Sequence, residues 1–206
     1  MNKNLIKTAL AACLALSASA PVLAQEAGSW SLSVGAHVVS PKSGNGQLAA
    51  GAFDADVGSN WRPTITAEYF FNKNVGLEVL ASLPFEHEIR LNGVRAGSTK
   101  HLPPTFTLQY HFDGEKVSPF VGVGVNYTIF FDKDTTGPLA GTRLDLDNSW
   151  GLSARAGLDF KLAEGRAIRL DARWIDIDTD VKVNGADVGT VHIDPVAYGL
   201  AYVWNF

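Results

Sequence analysis

The 206-residue chain has a single cysteine, Cys13, and a single methionine, Met1, so everything after the first two dozen residues lacks both. A disulfide, a thiolate metal site and a thiol nucleophile are therefore excluded from the body of the protein. Charged residues are sparse at 18%, and the 17 bases do not exceed the 21 acids, which argues against nucleic acid as a partner. Beyond residue 24 no apolar run reaches the roughly 18 residues of a membrane-spanning helix. What is plentiful is glycine, at 20, together with 46% hydrophobic and 10% aromatic residues. That mixture suits many short strands joined by turns.

The first segment reads as an address. Lys3 and Lys7 precede an uninterrupted small and apolar run from Thr8 to Ala20, and Pro21, Val22, Leu23 and Ala24 follow. A charged start, an apolar middle and small residues at Val22 and Ala24 predict a secretory signal peptide over 1–24, cleaved after Ala24. Leu10-Ala11-Ala12-Cys13 looks like a lipoprotein lipobox, but only five residues separate Lys7 from Cys13, short of the roughly 7 to 15 apolar residues needed. Removing the segment takes away two lysines and no acid, leaving fifteen bases against twenty-one acids and a net charge of −6. Export without a helix or a lipid leaves periplasm, medium, or a β-barrel in an outer membrane formed by 25–206.

Apolar residues recur at a period of two, the strand signal. From Trp30 one face reads Trp30, Leu32, Val34, Ala36, Val38 against Ser31, Ser33, Gly35, His37. The same alternation predicts strands over Trp61 to Phe71, Asn74 to Leu83, Pro104 to Phe112, Pro119 to Phe131, Ser149 to Leu162, Ala167 to Asp178 and Val196 to Phe206. Short polar links at 72–73, 113–117 and 163–166 alternate with long loops at 40–60, 84–103, 132–148 and 179–193. Short turns on one side and long loops on the other are the asymmetry of an outer-membrane barrel. The expected fold is all-β, an eight-stranded antiparallel transmembrane barrel with short periplasmic turns and four longer extracellular loops.

Alternation alone does not distinguish this from a soluble barrel with an apolar inside. One face carries large residues along its whole length, with aromatics gathered near strand ends. The other carries Gly, Ser and Thr, as a narrow interior requires. Strands of about ten residues match a tilted bilayer crossing, so the apolar face is assigned to lipid. Inward charges are then Glu68, Glu78, Asp159 and Asp171 against Arg155, Lys161, Arg169 and Arg173. In a low-dielectric wall such groups persist when paired, which predicts an ionic network closing the lumen, with proton transfer or catalysis as the alternative.

Several stretches resemble a known family. They are Pro84-Phe85-Glu86-His87, Leu102-Pro103-Pro104-Thr105, Gln109-Tyr110-His111-Phe112, Pro119 to Thr128 with Phe130-Phe131, Asp147 to Gly151, Asp176 to Thr179, and the ending Tyr202 to Phe206. In order and spacing they resemble the outer membrane protein W (OmpW/AlkL) family from about Trp30 to Phe206. Asn205 stands where an Arg is common before the last Phe, and Arg173 where a bulky aromatic can occur. The resemblance implies an eight-stranded barrel in the outer membrane of a Gram-negative bacterium that takes up small hydrophobic molecules. It also implies recognition of Phe206 by the barrel-assembly machinery, with outer-membrane lipid as the surroundings and no cofactor.

Towards the loop side the inward positions turn apolar, with Leu80, Phe130, Ile175 and Ile177. A dry upper pocket above an ionic floor would admit an apolar molecule but deny it a straight path to the periplasm. Pro84, Pro103 and Pro104 sit at the tops of the third and fourth strands and cannot donate to the ladder. A lateral exit between those strands, lined by Leu80 and Phe85, is the expectation; the alternative is that the prolines only end strands. His87, His101 and His192 are expected as solvated loop residues, with Asp132, Asp134, Asp178, Asp180 and Asp194 near in sequence but no metal-binding spacing. His37 and His111 take inward parity. Acyl-transfer chemistry would need a loop histidine with Ser82 or Ser149, and G-x-S-x-G is absent, so an enzyme is not expected. A barrel whose loops bind phage, colicin or host surfaces is the alternative function.

Overall fold

A computed structural model of the protein describes residues 26–163 and 165–206, so the expected signal segment lies outside the described residues. In chain order the strands are β1 (Trp30–Ser40), β2 (Gly46–Leu48), β3 (Phe53–Val57), β4 (Asn60–Phe70), β5 (Val75–Ser82), β6 (Phe85–Leu91), β7 (Val94–Leu102) and β8 (Thr105–His111). They continue as β9 (Val117–Thr135), β10 (Leu144–Leu146), β11 (Ser149–Ala163), β12 (Arg166–Ile175), β13 (Asp178–Val183), β14 (Ala186–His192) and β15 (Val196–Asn205). One short 3-10 turn, Gly137–Leu139, follows β9.

Eight of these strands close a barrel. The antiparallel ladder runs β1, β4, β5, β8, β9, β11, β12, β15 and returns from β15 to β1. They coincide with the eight expected strands to within a residue or two at most ends. The exceptions are β9, which continues to Thr135, and β12, which stops at Ile175. Closure leaves the barrel wall without a free edge, so its backbone groups find partners where no water is present.

The parity is that of a membrane barrel. Trp30, Val34 and Val38 on β1 are exposed, while Ser31, Ser33 and His37 between them are buried. Aromatic pairs collect at both ends of the apolar band, with ring centroids 5.1 Å apart for Trp30 and Tyr69 and 4.5 Å for Tyr202 and Trp204 at the terminal end. At the opposite end Tyr127 and Trp150 stand 4.5 Å apart. Aromatic rings at the two interfaces and aliphatic chains between them match the polarity profile of a bilayer.

The interior is narrow enough that glycine is needed for packing. A Cβ on Gly157 would overlap the Phe120 ring, and one on Gly199 would overlap the His37 imidazole. Both inner-face glycines make room for a larger neighbour reaching in from another strand.

The four long links are themselves built largely of strands. They hold β2, β3, β6, β7, β10, β13 and β14, which carry the wall upward beyond the bilayer. β7 pairs with the upper part of β9, β6 with β7 and β3, and β3 with β2; β10, β13 and β14 form a second sheet. The two sheets are tied where the Ala49 amide donates to the Val188 carbonyl at 2.7 Å and the His192 amide to the Asn45 carbonyl at 2.7 Å. Two hairpins turn on Asn92-Gly93 and Asn184-Gly185, all four residues at positive φ. That dipeptide fits the two-residue turn whose twist matches the flanking strands. Outward side chains in this cap include charged ones such as Glu86, Lys100 and Asp132, as suits a segment standing in water above the membrane.

Candidate functional site

Within the barrel two like-charged pairs face each other. Glu68 on β4 lies in register with Glu78 on β5, and Arg155 on β11 with Arg173 on β12. Each pair would repel if isolated, and each is held by the other. The Glu78 carboxylate accepts from Arg155 Nη1 and Arg173 Nη2, while Arg169 Nη1 lies 3.8 Å from Glu68 and 3.7 Å from Glu78. Arg169 grips Asp159 through two bonds of 2.7 and 2.8 Å, and Arg155 Nε donates to Asp171 at 3.0 Å. All of these side chains are buried. The guanidinium carbons of Arg155 and Arg169 also lie 5.0 and 4.5 Å from the Phe120 ring centroid, a favourable cation–π placement. His111 Nε2 is 2.8 Å from Glu68, and His37 bridges Thr64 at 2.8 Å and Asp171 at 3.2 Å.

Glu68, Glu78, Arg155, Asp159, Arg169, Asp171 and Arg173 thus form one connected plug across the lumen. Lys161, which shares the inward parity of Asp159, does not belong to it. It stands exposed at the terminal rim with its ammonium donating to the Gly114 carbonyl at 2.7 Å. At the mouth of the barrel a long lysine reaches water, so strand parity there no longer dictates burial.

Above the plug the cap encloses a cavity of about 260 Å³. Its wall is largely aliphatic, including Leu48, Ile89, Leu91, Leu144, Val181 and Val191. Of the residues expected to hold an apolar ligand, Phe130 lies on this wall. Ile175 and Ile177 are buried in the same apolar cluster but do not line the cavity. Leu80 and Phe85 do not line the cavity: Leu80 is buried on the inner face of β5 lower down, and Phe85 packs against Val39 and Ala197 across the top of the lumen. The cavity therefore sits higher than the strand pattern implied, because the cap strands supply most of its wall. Their alternation, as in Leu144 and Leu146, Val181 and Val183, or Val191 and Ile193, was the available signal.

Between cavity and plug the ladder of β5 and β8 is interrupted. Leu80 pairs with Thr105 and Phe85 with His101, and no pair joins 81–84 to 102–104. Four residues on one side face three on the other. Pro84, Pro103 and Pro104 occupy this break and have no N–H to restore it. Their carbonyls are taken from elsewhere: Pro84 accepts from Arg62 Nε at 2.9 Å, Pro103 from Thr105 Oγ1 at 2.9 Å, and Pro104 from the Tyr127 amide at 3.1 Å.

His87 and His101 correct a second expectation, that they are solvated. Both are buried on the inward faces of β6 and β7, their rings stacked with centroids 4.8 Å apart, and both line the cavity. Burial pulls His101 down to about 3 and lowers His87 below the usual imidazole range, because an apolar wall disfavours the charged ring. His192 is exposed, with Nδ1 2.6 Å from Asp178. Asp176, Asp178 and Asp194 converge near it, and burial together with this crowding raises the Asp176 carboxyl. Asp132 pairs with Lys100 at 3.1 Å. Ser149 Oγ accepts from the Asp178 amide. Among the described residues neither Ser82 nor Ser149 bonds to a histidine.

A closed eight-stranded barrel with apolar faces outward, an ionic plug and a cap is the setting in which relatives become informative. The sequence model of the OmpW family matches residues 26–206. The chain belongs to the OmpW family. Outer membrane protein W of Vibrio cholerae is 38% identical over 95% of this chain and 96% of its own length. The dibenzothiophene metabolism operon protein PahQ of Pseudomonas aeruginosa is 26% identical over 66% of this chain and 65% of its own. Among solved structures, the outer membrane protein OprG from Pseudomonas aeruginosa superposes with a TM-score of 0.80 at 28% identity, covering 90% of this chain and 99% of that one. This OmpW-family barrel resides in the outer membrane of a Gram-negative bacterium, its exposed apolar band in contact with lipid.

Proposed function

We propose that this OmpW-family barrel takes up small hydrophobic molecules, which enter the cap cavity from outside and leave sideways into the bilayer through the break between β5 and β8. The observation that carries the reading is an apolar cavity standing directly above an ionic plug. An apolar solute gains roughly 25 cal/mol for each Å² of its surface removed from water on entering such a cavity. Going on through the plug would mean separating buried ion pairs, at about 3 kcal/mol or more for each carboxylate or guanidinium left unpartnered. The broken ladder offers a path that separates none of them. A relative named for a dibenzothiophene metabolism operon supports an apolar cargo, since dibenzothiophene is itself a fused aromatic. We also assign to Phe206, exposed just past the end of the closing strand, recognition by the assembly machinery.

The test is uptake of radiolabelled dibenzothiophene by cells that produce the barrel, compared with the variant Leu80→Asp and with a disulfide engineered across the tops of β5 and β8. Leu80 borders the break, so a carboxylate there should lower uptake several-fold, and reduction of the disulfide should restore it. Uptake unchanged by both modifications would refute the lateral route.

A further inference from the structure

The cavity wall is largely apolar, with the exposed Asp56 and three threonines also on its lining, and at one place it carries unused hydrogen-bonding capacity. His87 and His101 are each about 1% exposed. His87 Nδ1 donates to the Gly58 carbonyl. That fixes the tautomer and leaves Nε2 a bare acceptor. His87 Nε2 and both ring nitrogens of His101 find no hydrogen-bond partner among the described residues. The hydroxyls on the same wall are committed to backbone carbonyls: Thr99 to Phe131 at 3.3 Å, Thr142 to Leu139 at 2.7 Å and Thr179 to Asp147 at 2.8 Å.

The rings are also held in place. His101 is stacked on His87 and flanked by Phe85 at 5.7 Å, with Phe130 edge-on at 5.8 Å. A neutral imidazole offers one N–H and one lone pair, so the pair presents acceptors and a donor at one end of a greasy chamber. Leaving such groups dry is unfavourable, and a ligand that satisfies them removes the penalty.

We propose that His87 and His101 make this cavity a site for amphiphiles: an apolar body bearing one uncharged hydrogen-bonding group, such as an alcohol or a carbonyl, in preference to a bare hydrocarbon. The inference rests on the cavity reading above and specifies its ligand class. A hydroxyl accepts the His101 N–H or donates to His87 Nε2, while the chain lies along Leu91, Leu144 and Val181. An alkane of equal length fills the same space but leaves the nitrogens unpaired.

The test uses the purified full-length barrel in lipid nanodiscs, with decan-1-ol and decane as probes and ¹⁵N-labelled histidine. Decan-1-ol should move the ring ¹⁵N resonances of His87 or His101, and decane should not. The ratio of decan-1-ol to decane affinity should fall roughly three- to tenfold in His101→Phe and in the double variant with His87→Phe, the range that one hydrogen bond contributes. Heat-modifiable migration in gels checks that each variant is folded, and the ¹⁵N shifts of the unaltered protein test the idea without any substitution. If both probes bind but the ratio is unchanged and the ring nitrogens are indifferent to decan-1-ol, the amphiphile preference is wrong and the cavity reading stands. If neither probe binds, the cavity reading itself fails and takes this inference with it.

Discussion

Glu78 and Arg173 are direct partners, yet their removal should not be equivalent. Glu78 is fully buried and touches Arg155, Arg169 and Arg173, whereas Arg173 has Glu78 as its carboxylate partner and makes its other side-chain bond to Thr107 at 3.0 Å. Substituting Glu78→Gln leaves the Arg173 guanidinium buried without a counter-charge and weakens the hold on Arg155. The expected cost is about 3 kcal/mol, the lower end for breaking a buried pair from one side, because the amide still accepts a bond. Substituting Arg173→Met removes a charge and fills similar volume, while Glu78 keeps two guanidiniums. About 1 kcal/mol is expected there, the scale of the lost hydrogen bonds. The double variant should then cost less than the sum of the two by about 1–2 kcal/mol, since the new amide no longer faces a stranded cation. The assay is urea unfolding of protein refolded into lipid vesicles, followed by tryptophan fluorescence. Strictly additive effects, each below about 0.5 kcal/mol, would refute the reasoning, because they would mean a hydrated lumen in which the charges are already screened.

Three further outcomes are expected. Gly157→Ala should destabilise the barrel by about 1–3 kcal/mol in the same assay, because the new methyl displaces the Phe120 ring that covers two arginines. Val123→Arg, on the lipid face near mid-bilayer, should cost about 2–4 kcal/mol, several times more than a charge placed at the rim position Trp61; equal costs would contradict the assigned parity. The cap should also weaken in acid. His101 is held at about 3 and His87 is lowered in the closed state, so below the free-imidazole range of about 6.5 the opened state binds more protons. Cap stability is therefore full at neutral pH and falls as pH drops below about 6.5, by up to about 1.4 kcal/mol per pH unit for His101 down to about 3, with His87 acting in the same direction. Hydrogen exchange of β6 and β7 amides, corrected for intrinsic rates, should follow that slope; protection flat from pH 7 to pH 4 would count against it.

The membrane barrel was readable residue by residue because its signal is local. Alternation along β1, β11 and β15 names both faces, and two aromatic belts with a glycine-rich inner face decide which is lipid. Charged inward positions such as Glu78 and Arg169 are legible for the same reason, whereas at Lys161 inward parity does not bring burial, because the lumen opens to water there. The cap was less legible. Asn92-Gly93 and Asn184-Gly185 were turn signals within stretches read as loops, and short strands such as Leu144–Leu146 bury residues only after two distant hairpins meet.

Length, period and polarity along the chain thus sufficed for the eight barrel strands, their antiparallel order, the orientation of each face and the outer-membrane location. Each depends on near neighbours in the chain and on the solvent a face requires. Which charges pair, how the Pro84 and Pro103-Pro104 breaks align, and that His87 stacks on His101 in a shared apolar wall depend on register between strands far apart in sequence. A one-residue slip in that register would reverse every inward and outward position, so these features emerge only when the barrel closes and the cap folds over it.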